Sequence, residues 1–238
     1  MLDFLTYSDD DQRRTFENAA KQLGLHRRVM VEKDLWVCLT LQQLFSLPKD
    51  VCSELTFKGG TSLSKAYKTI NRFSEDIDVS LYRHDFSSLD ENELEQAFIN
   101  ERRSRQGKLL KKLRKACSAY IKATIFPALN DSLAGILPTD NWSLEMDLRD
   151  KDEQTILFNY HSVFPTGEDD YIQRAVVIEL GARAEHWPTE NKEIQPYISE
   201  LFPDKFPREH YSTEIRLLKP ERTFWEKITA LHSYYHKN

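Results

Sequence analysis

The chain has 238 residues, 40% hydrophobic and 30% charged, with a formal net charge of −5. That is enough chain for one α/β domain or two closely packed lobes, and its composition is not that of a disordered protein. No apolar run approaches a membrane span, and the opening MLDFLTYSDDDQRR lacks the basic region and apolar core of a secretory signal.

Three cysteines (Cys38, Cys52, Cys117) without CxxC spacing point to a reduced, cytoplasmic setting rather than a disulfide or zinc scaffold. In chain order, two helices come first, Asp10–Leu23 and His26–Phe45. The second carries Val29, Leu35 and Leu39 at near-helical spacing and stops before Pro48. Glu32, Lys33 and Asp34 interrupt its apolar pattern, and charges so placed are expected to form ion pairs that fix the helix.

A strand over Glu54–Lys58, a helix over Thr61–Tyr67 and a strand over Asp76–Leu81 follow, with Gly59 and Gly60 at the first junction. With only 7 glycines in the chain, an adjacent pair is expected roughly 0.2 times by chance, whereas acidic-x-acidic is expected about 6 times. The glycine pair is therefore the informative half. Glycines there let the backbone approach a phosphate, and the amides opening the helix can receive it. Asp76 and Asp78 share one strand face, about 6.5 Å apart, so both carboxylates can converge on the same divalent cations. A phosphate cradle beside a metal platform suits phosphoryl or nucleotidyl transfer.

Beyond this block, Asn92–Ile125 predicts a long helical region loosened near Gly107. It contains Arg102, Arg103, Arg105, Lys108, Lys111, Lys112, Arg114 and Lys115. These residues either track an RNA backbone or form a solvated helix face balanced by the acidic run from Asp90 to Glu95. Strands are predicted over Trp142–Leu148, Thr155–Tyr160 and Arg174–Leu180, then a helix over Glu193–Leu201 and a strand over Thr213–Leu218. A last helix begins at Pro220 and runs to about Tyr235. A soft boundary near Pro188 divides the chain into lobes 1–188 and 189–238.

Glu179, inside VVIEL, is the candidate third carboxylate, or else a solvent-facing residue of an edge strand. Arg183 either binds a triphosphate or pairs with Glu179. Lys227 sits at the margin of the apolar face made by Trp225, Ile228 and Leu231. It either reaches a phosphate or joins a surface network with Glu221 and Arg222. The hydroxyls of Thr61, Ser62 and Ser74 can hydrogen-bond phosphate oxygens or cap helices and turns. His232 and His236 lack the accompanying residues of a zinc motif and are expected at the surface. No GxSxG, Walker A or GxGxxG pattern occurs.

KGGTSL followed by RFSEDIDVSL resembles the nucleotidyltransferases of the DNA polymerase β-like superfamily, in particular the AbiEii/AbiGii toxin branch. VEKDLWV (Val31 to Val37), VVIELGAR (Val176 to Arg183) and LLKPERTFWEKITALH (Leu217 to His232) fit the same branch. The resemblance implies an α+β fold, a mixed sheet flanked by helices with a helical C-terminal portion. It also implies a toxin that transfers NMP from an NTP to RNA, with tRNA the expected acceptor, and a cognate antitoxin. Asp76, Asp78 and Glu179 would hold Mg²⁺. Lys58, Gly59, Gly60, Thr61, Ser62, Ser74 and Arg183 would hold the nucleotide, with Lys227 contacting substrate. In that branch a further helix with an Arg-His-x-Tyr-Asp-Leu-Tyr-like motif follows, whereas this sequence stops at Asn238, so the second lobe is expected to be shortened. The alternatives are a catalytically idle nucleotide- or antitoxin-binding module, and a kinase-like transfer to protein.

Overall fold

The computed structural model describes residues 2–25, 27–70, 74, 76–86, 103–138, 141–165, 173–182 and 186–235. Helices α1 (Leu2–Leu5), α2 (Asp9–Gln22) and α3 (Val29–Phe45) open it. Ser8 caps α2 by accepting from the amide of Asp11, and three aspartates in the first turn complement the helix dipole. Helix α3 is apolar on nearly every side, as a helix must be when it is buried between other layers.

The strands are β1 (Leu55–Lys58), β2 (Asp76–Leu81), β3 (Trp142–Met146), β4 (Thr155–Tyr160), β5 (Ala175–Gly181), β6 (Thr189–Ile194) and β7 (Thr213–Leu218). Among the described residues they form one mixed sheet in the order β3-β4-β5-β2-β1-β7-β6. At its centre β2 pairs antiparallel with β1 and parallel with β5, while β1 pairs parallel with β7. Strands from both sides of Pro188 thus share the sheet.

Strand alternation divides the sheet into two faces. Phe57, Ile77, Val79, Val176, Ile178 and Leu217 lie on one, fully buried in the main core. Helix α3 covers this face together with α5 (Arg103–Tyr120), a π-helical turn (Ile121–Ile125) and α6 (Phe126–Ala134). A second cluster, around Phe4, Phe16 and Phe206, ties the N-terminal helices to the α7 (Tyr197–Leu201) and α8 (Arg208–Tyr211) region.

Three predicted elements change. The helical region runs straight through Gly107 and continues to Ala134, beyond the expected end at Ile125; its predicted start, from Asn92, lies outside the described residues. The core positions Leu113, Cys117, Ile121, Ile125, Leu129 and Leu133 recur every four residues. In an α-helix that spacing drifts about 40° per step, and the wider π turn offsets it. Pro127 then falls in the first turn of α6, where its missing N–H is tolerated. The predicted Glu193–Leu201 helix is instead edge strand β6 followed by α7. The helix expected from Thr61 starts earlier, as α4 (Gly59–Thr61) followed by a π-helical turn (Ser62–Ala66).

The charges inside α3 are all engaged. Asp34 pairs with Lys65 at 2.5 Å, both side chains buried, and also accepts from the amide of Tyr197 at 2.7 Å. Lys65 sits 3.7 Å from the centre of the Tyr197 ring. Glu32 accepts from Ser162 Oγ at 2.6 Å and Val163 N at 2.7 Å, and Lys33 donates to the carbonyl of Gln173. The three cysteines are buried and unbridged. No helix among the described residues is long and apolar enough to cross a membrane.

Candidate active site

On the sheet face opposite the main core, strand register builds a row of polar side chains. Lys58 of β1 stands opposite Asp78 of β2, Asp78 opposite Glu179 of β5, and Glu179 opposite Thr155 of β4. Directly opposed side chains on adjacent strands have Cβ atoms about 4.5–5.5 Å apart, so register alone brings the lysine and the two carboxylates together. Asp76, two residues before Asp78, shares this face one pleat repeat along β2. Glu179 belongs to an interior strand, between β4 and β2, and not to an edge strand.

Gly59 shows why the glycine pair stands beside the acidic strand. Its φ is +80°, a conformation that L side chains rarely adopt, and a Cβ there would lie 1.8 Å from Asp78 Oδ2. The Asp78 carboxylate occupies the space a side chain would fill. Gly59 therefore serves the carboxylate, a role that spacing did not suggest.

The hydroxyls of the glycine-flanking residues turn inward. Thr61 Oγ1 donates to the carbonyl of Asp76 at 2.5 Å and lies 2.9 Å from Ser74 Oγ, and Ser62 Oγ donates to the carbonyl of Gly59 at 2.9 Å. Both residues are buried. Thr61 thus pins the start of β2 to α4. The Ser62 amide is bonded to the carbonyl of Gly59, so what remains for a phosphate is backbone N–H of Gly60 and Thr61 at the opening of the helix, where the first amides lack intrahelical partners.

Asp78 and Glu179 both titrate above the ordinary carboxylate range. For Asp78 burial is the largest cause, opposed by the positive charges of Lys58 and Lys227 and reinforced by Asp76. For Glu179 burial again leads, followed by the negative charges of Asp78 and Asp150. Asp76, Asp78 and Glu179 are thus gathered into one electrostatic neighbourhood under two lysines.

Lys227 belongs to α9 (Pro220–Tyr235) and is exposed, yet near enough for its charge to act on Asp78. Its neighbour Glu226 reaches Lys58 at 3.9 Å and accepts from Arg222 at 3.3 Å, which ties α9 to the end of β1. The Lys58–Glu226 link has no local signature, because it depends on how α9 meets the end of β1. Asp150 was also missed. It accepts from the amides of Asp152 and Gln154 and from Thr155 Oγ1, so its carboxylate shapes the β3–β4 loop beside the site.

Arg183 and Arg102 lie outside the described residues, as does His236. Arg103 and Arg105 are on α5. Lys108, Lys111 and Lys112 are exposed on the same helix.

The donor set suits a hard cation. Magnesium takes oxygen ligands and is typically held by one or two carboxylates plus substrate phosphates. Among the described residues no three Asp, Glu, His or Cys side chains are close enough to enclose an ion by themselves. A carboxylate pair completed by a nucleotide's phosphates does not require such a cage.

The family model described as nucleotidyl transferase AbiEii toxin, type IV toxin–antitoxin system, matches residues 44–238. No curated protein matches the chain. Among solved structures, the nucleotidyltransferase toxin MenT4 from Mycobacterium tuberculosis is similar at 14% identity and a TM-score of 0.45, over 90% of this chain and 57% of its own. The chain thus spans little more than half the length of that protein. With Gly59, Asp78, Glu179 and Lys227 all inside the matched region, the chain belongs to the AbiEii family of nucleotidyltransferase toxins of type IV toxin–antitoxin systems.

Proposed function

We propose that this chain is a magnesium-dependent nucleotidyltransferase that moves NMP from an NTP to an RNA acceptor, with tRNA the first acceptor to test. The observation that carries the reading is the row Lys58–Asp78–Glu179, with Asp78 set into the space left by Gly59. Within it two carboxylates, Asp78 and Glu179, are held side by side against their mutual repulsion, and such sites are where function is concentrated.

Asp76 and Asp78 would hold Mg²⁺, which when bound would screen the triphosphate and acidify the acceptor hydroxyl. The amides of Gly60 and Thr61 receive phosphate oxygens, Ser74 adds a hydroxyl beside Thr61, and Arg183 is a further candidate for the triphosphate. Lys58 balances the carboxylates from the neighbouring strand. Lys227 neutralises charge gathering on the departing pyrophosphate. Glu179, whose proton affinity is raised by burial and by Asp78, accepts the acceptor hydroxyl's proton at its carboxylate oxygen. The acceptor approaches along the basic helix that carries Arg103, Arg105, Lys108, Lys111 and Lys112, with Arg102 a further candidate contact. The family's system supplies an antitoxin as the functional counterpart.

The test is incubation with each α-labelled NTP, Mg²⁺ and total tRNA, resolved on a denaturing gel. Label should appear on RNA and fall by about a thousandfold or more in Asp76→Ala and Asp78→Ala. Undiminished labelling in either variant would sink the mechanism. Nucleotide binding without product would favour an idle binding module instead.

A further inference from the structure

We infer that the groove between α5 and the β3–β4 loop seats the phosphate backbone of the RNA acceptor, an inference that rests on the RNA-acceptor reading above. The groove encloses about 640 Å³. One wall is a single helical face carrying Lys111, Lys115, Ser118 and Lys122, spaced four, three and four residues apart; the other is the loop residues Lys151, Asp152 and Glu153.

The acids of the loop are already spent on holding the two walls together. Asp152 pairs with Arg114 at 3.1 Å, and Glu153 with Lys122 at 2.7 Å. Glu153 has φ +53°, and Ser118 Oγ also donates to its carboxylate. Lys111, Lys115 and Lys151 remain exposed, and none of them pairs with a carboxylate among the described residues. Three uncompensated ammonium groups lining one polar groove suit a polyanion read without sequence preference, since lysine acts as a mobile point charge. The chain as a whole carries −5. Attraction of RNA must therefore be local.

Hydrogen bonds fix the loop between the helix and the sheet. Gln154 Nε2 donates to the carbonyl of Arg114 at 3.3 Å, and the carbonyl of Gln154 accepts from Leu180 N at 3.0 Å. The basic surface extends beyond the helix onto Lys151, which is 36 residues further along the chain than Lys115 and invisible as part of a charge run.

The experiment measures binding of a fluorescein-labelled RNA hairpin with a single-stranded tail by anisotropy, across a range of salt concentrations. The probe is offered to wild type, to K111A/K115A/K151A, and to a remote control, K21A/K49A/K205A. The groove variant should bind at least about tenfold more weakly, with a salt slope shallower by about 2–3, as expected for losing three phosphate contacts. The control should match wild type, and Asp76→Ala should retain full RNA binding. Equal affinity and slope in the groove variant, no RNA binding by wild type, or preference for a DNA hairpin of the same sequence would each overturn the assignment. Groove-dependent RNA binding without nucleotide transfer would instead refute the catalytic reading and leave the groove standing. A melting temperature for the groove variant equal to wild type excludes misfolding as the cause.

Discussion

Two clusters of charge lie on either side of the central sheet, and they are built to opposite rules. On the core side Asp34 is closed: one oxygen faces Lys65, the other the Tyr197 amide, and the Tyr197 ring covers the ammonium. On the other side Asp78 and Glu179 stand side by side with like charge, and the lysines that act on Asp78, Lys58 and Lys227, come from different elements. The first cluster satisfies every partner and joins α3 to the segment after Gly60. The second is under-compensated, which burial normally selects against unless a ligand completes it. Charge balance and burial both separate the two clusters: Asp34 and Lys65 are buried and paired, whereas Glu179 is exposed and Asp78 only partly buried.

The sharpest way to break this distinction is to neutralise one acid in each. Asp34→Ala strands a buried lysine and should cost about 3–5 kcal/mol, lowering the melting temperature by about 6–20 °C. Asp78→Asn should leave the melting temperature unchanged or higher, because it relieves like-charge crowding, while transfer falls by about a thousandfold or more. Similar losses of stability in both variants, measured by calorimetry, would erase the contrast.

Glu32 tests the same idea by pH. Burial raises it from 4.5 to about 7, against the opposing pull of Ser162, the Val163 amide, Arg174 and His161. The folded state therefore holds its proton more tightly than the unfolded chain, so stability is fully present below about pH 4.5 and declines as pH rises through 7. The full effect is about 3 kcal/mol. Glu32→Gln should remove this slope, so its melting temperature should gain on wild type between about pH 5 and pH 8. Parallel curves would mean that Glu32 is as well compensated as Asp34.

The smallest effect belongs to the clasp that holds α9. Lys58 and Glu226 are partly exposed and 3.9 Å apart, a pair worth up to about 1 kcal/mol. Glu226→Gln should shift melting by less than about 4 °C, and by less still in high salt. A larger shift would make α9 part of the structural framework and not a tethered cover.

Much of this arrangement was legible in the sequence. Strands over Asp76–Leu81, Thr155–Tyr160 and Thr213–Leu218 and the helix from Pro220 occur with the expected boundaries, because alternation and a proline start are local signals. Strand β6 was not legible. TENKEI buries only Ile194, and an edge strand that is polar on both sides lacks the period-two pattern. The face shared by Asp76 and Asp78 follows from strand periodicity. Their meeting with Glu179 depends on parallel pairing between strands far apart in the chain, which no local pattern encodes. The inward hydroxyls of Thr61 and Ser62 are likewise tertiary, set by where β2 begins.

Chain order has a consequence for when such a site can exist at all. Lys58 and Asp78 can meet as soon as β1 and β2 have left the ribosome, but Glu179 arrives about a hundred residues later and Lys227 later again. At about 5–20 residues per second, synthesis leaves about 5–20 s between the emergence of Asp78 and that of Glu179. A nascent chain interrupted in that interval carries an acidic pair without its third carboxylate. The row of Lys58, Asp78 and Glu179 therefore exists only once β5 has been made, long after the acidic pair of β2.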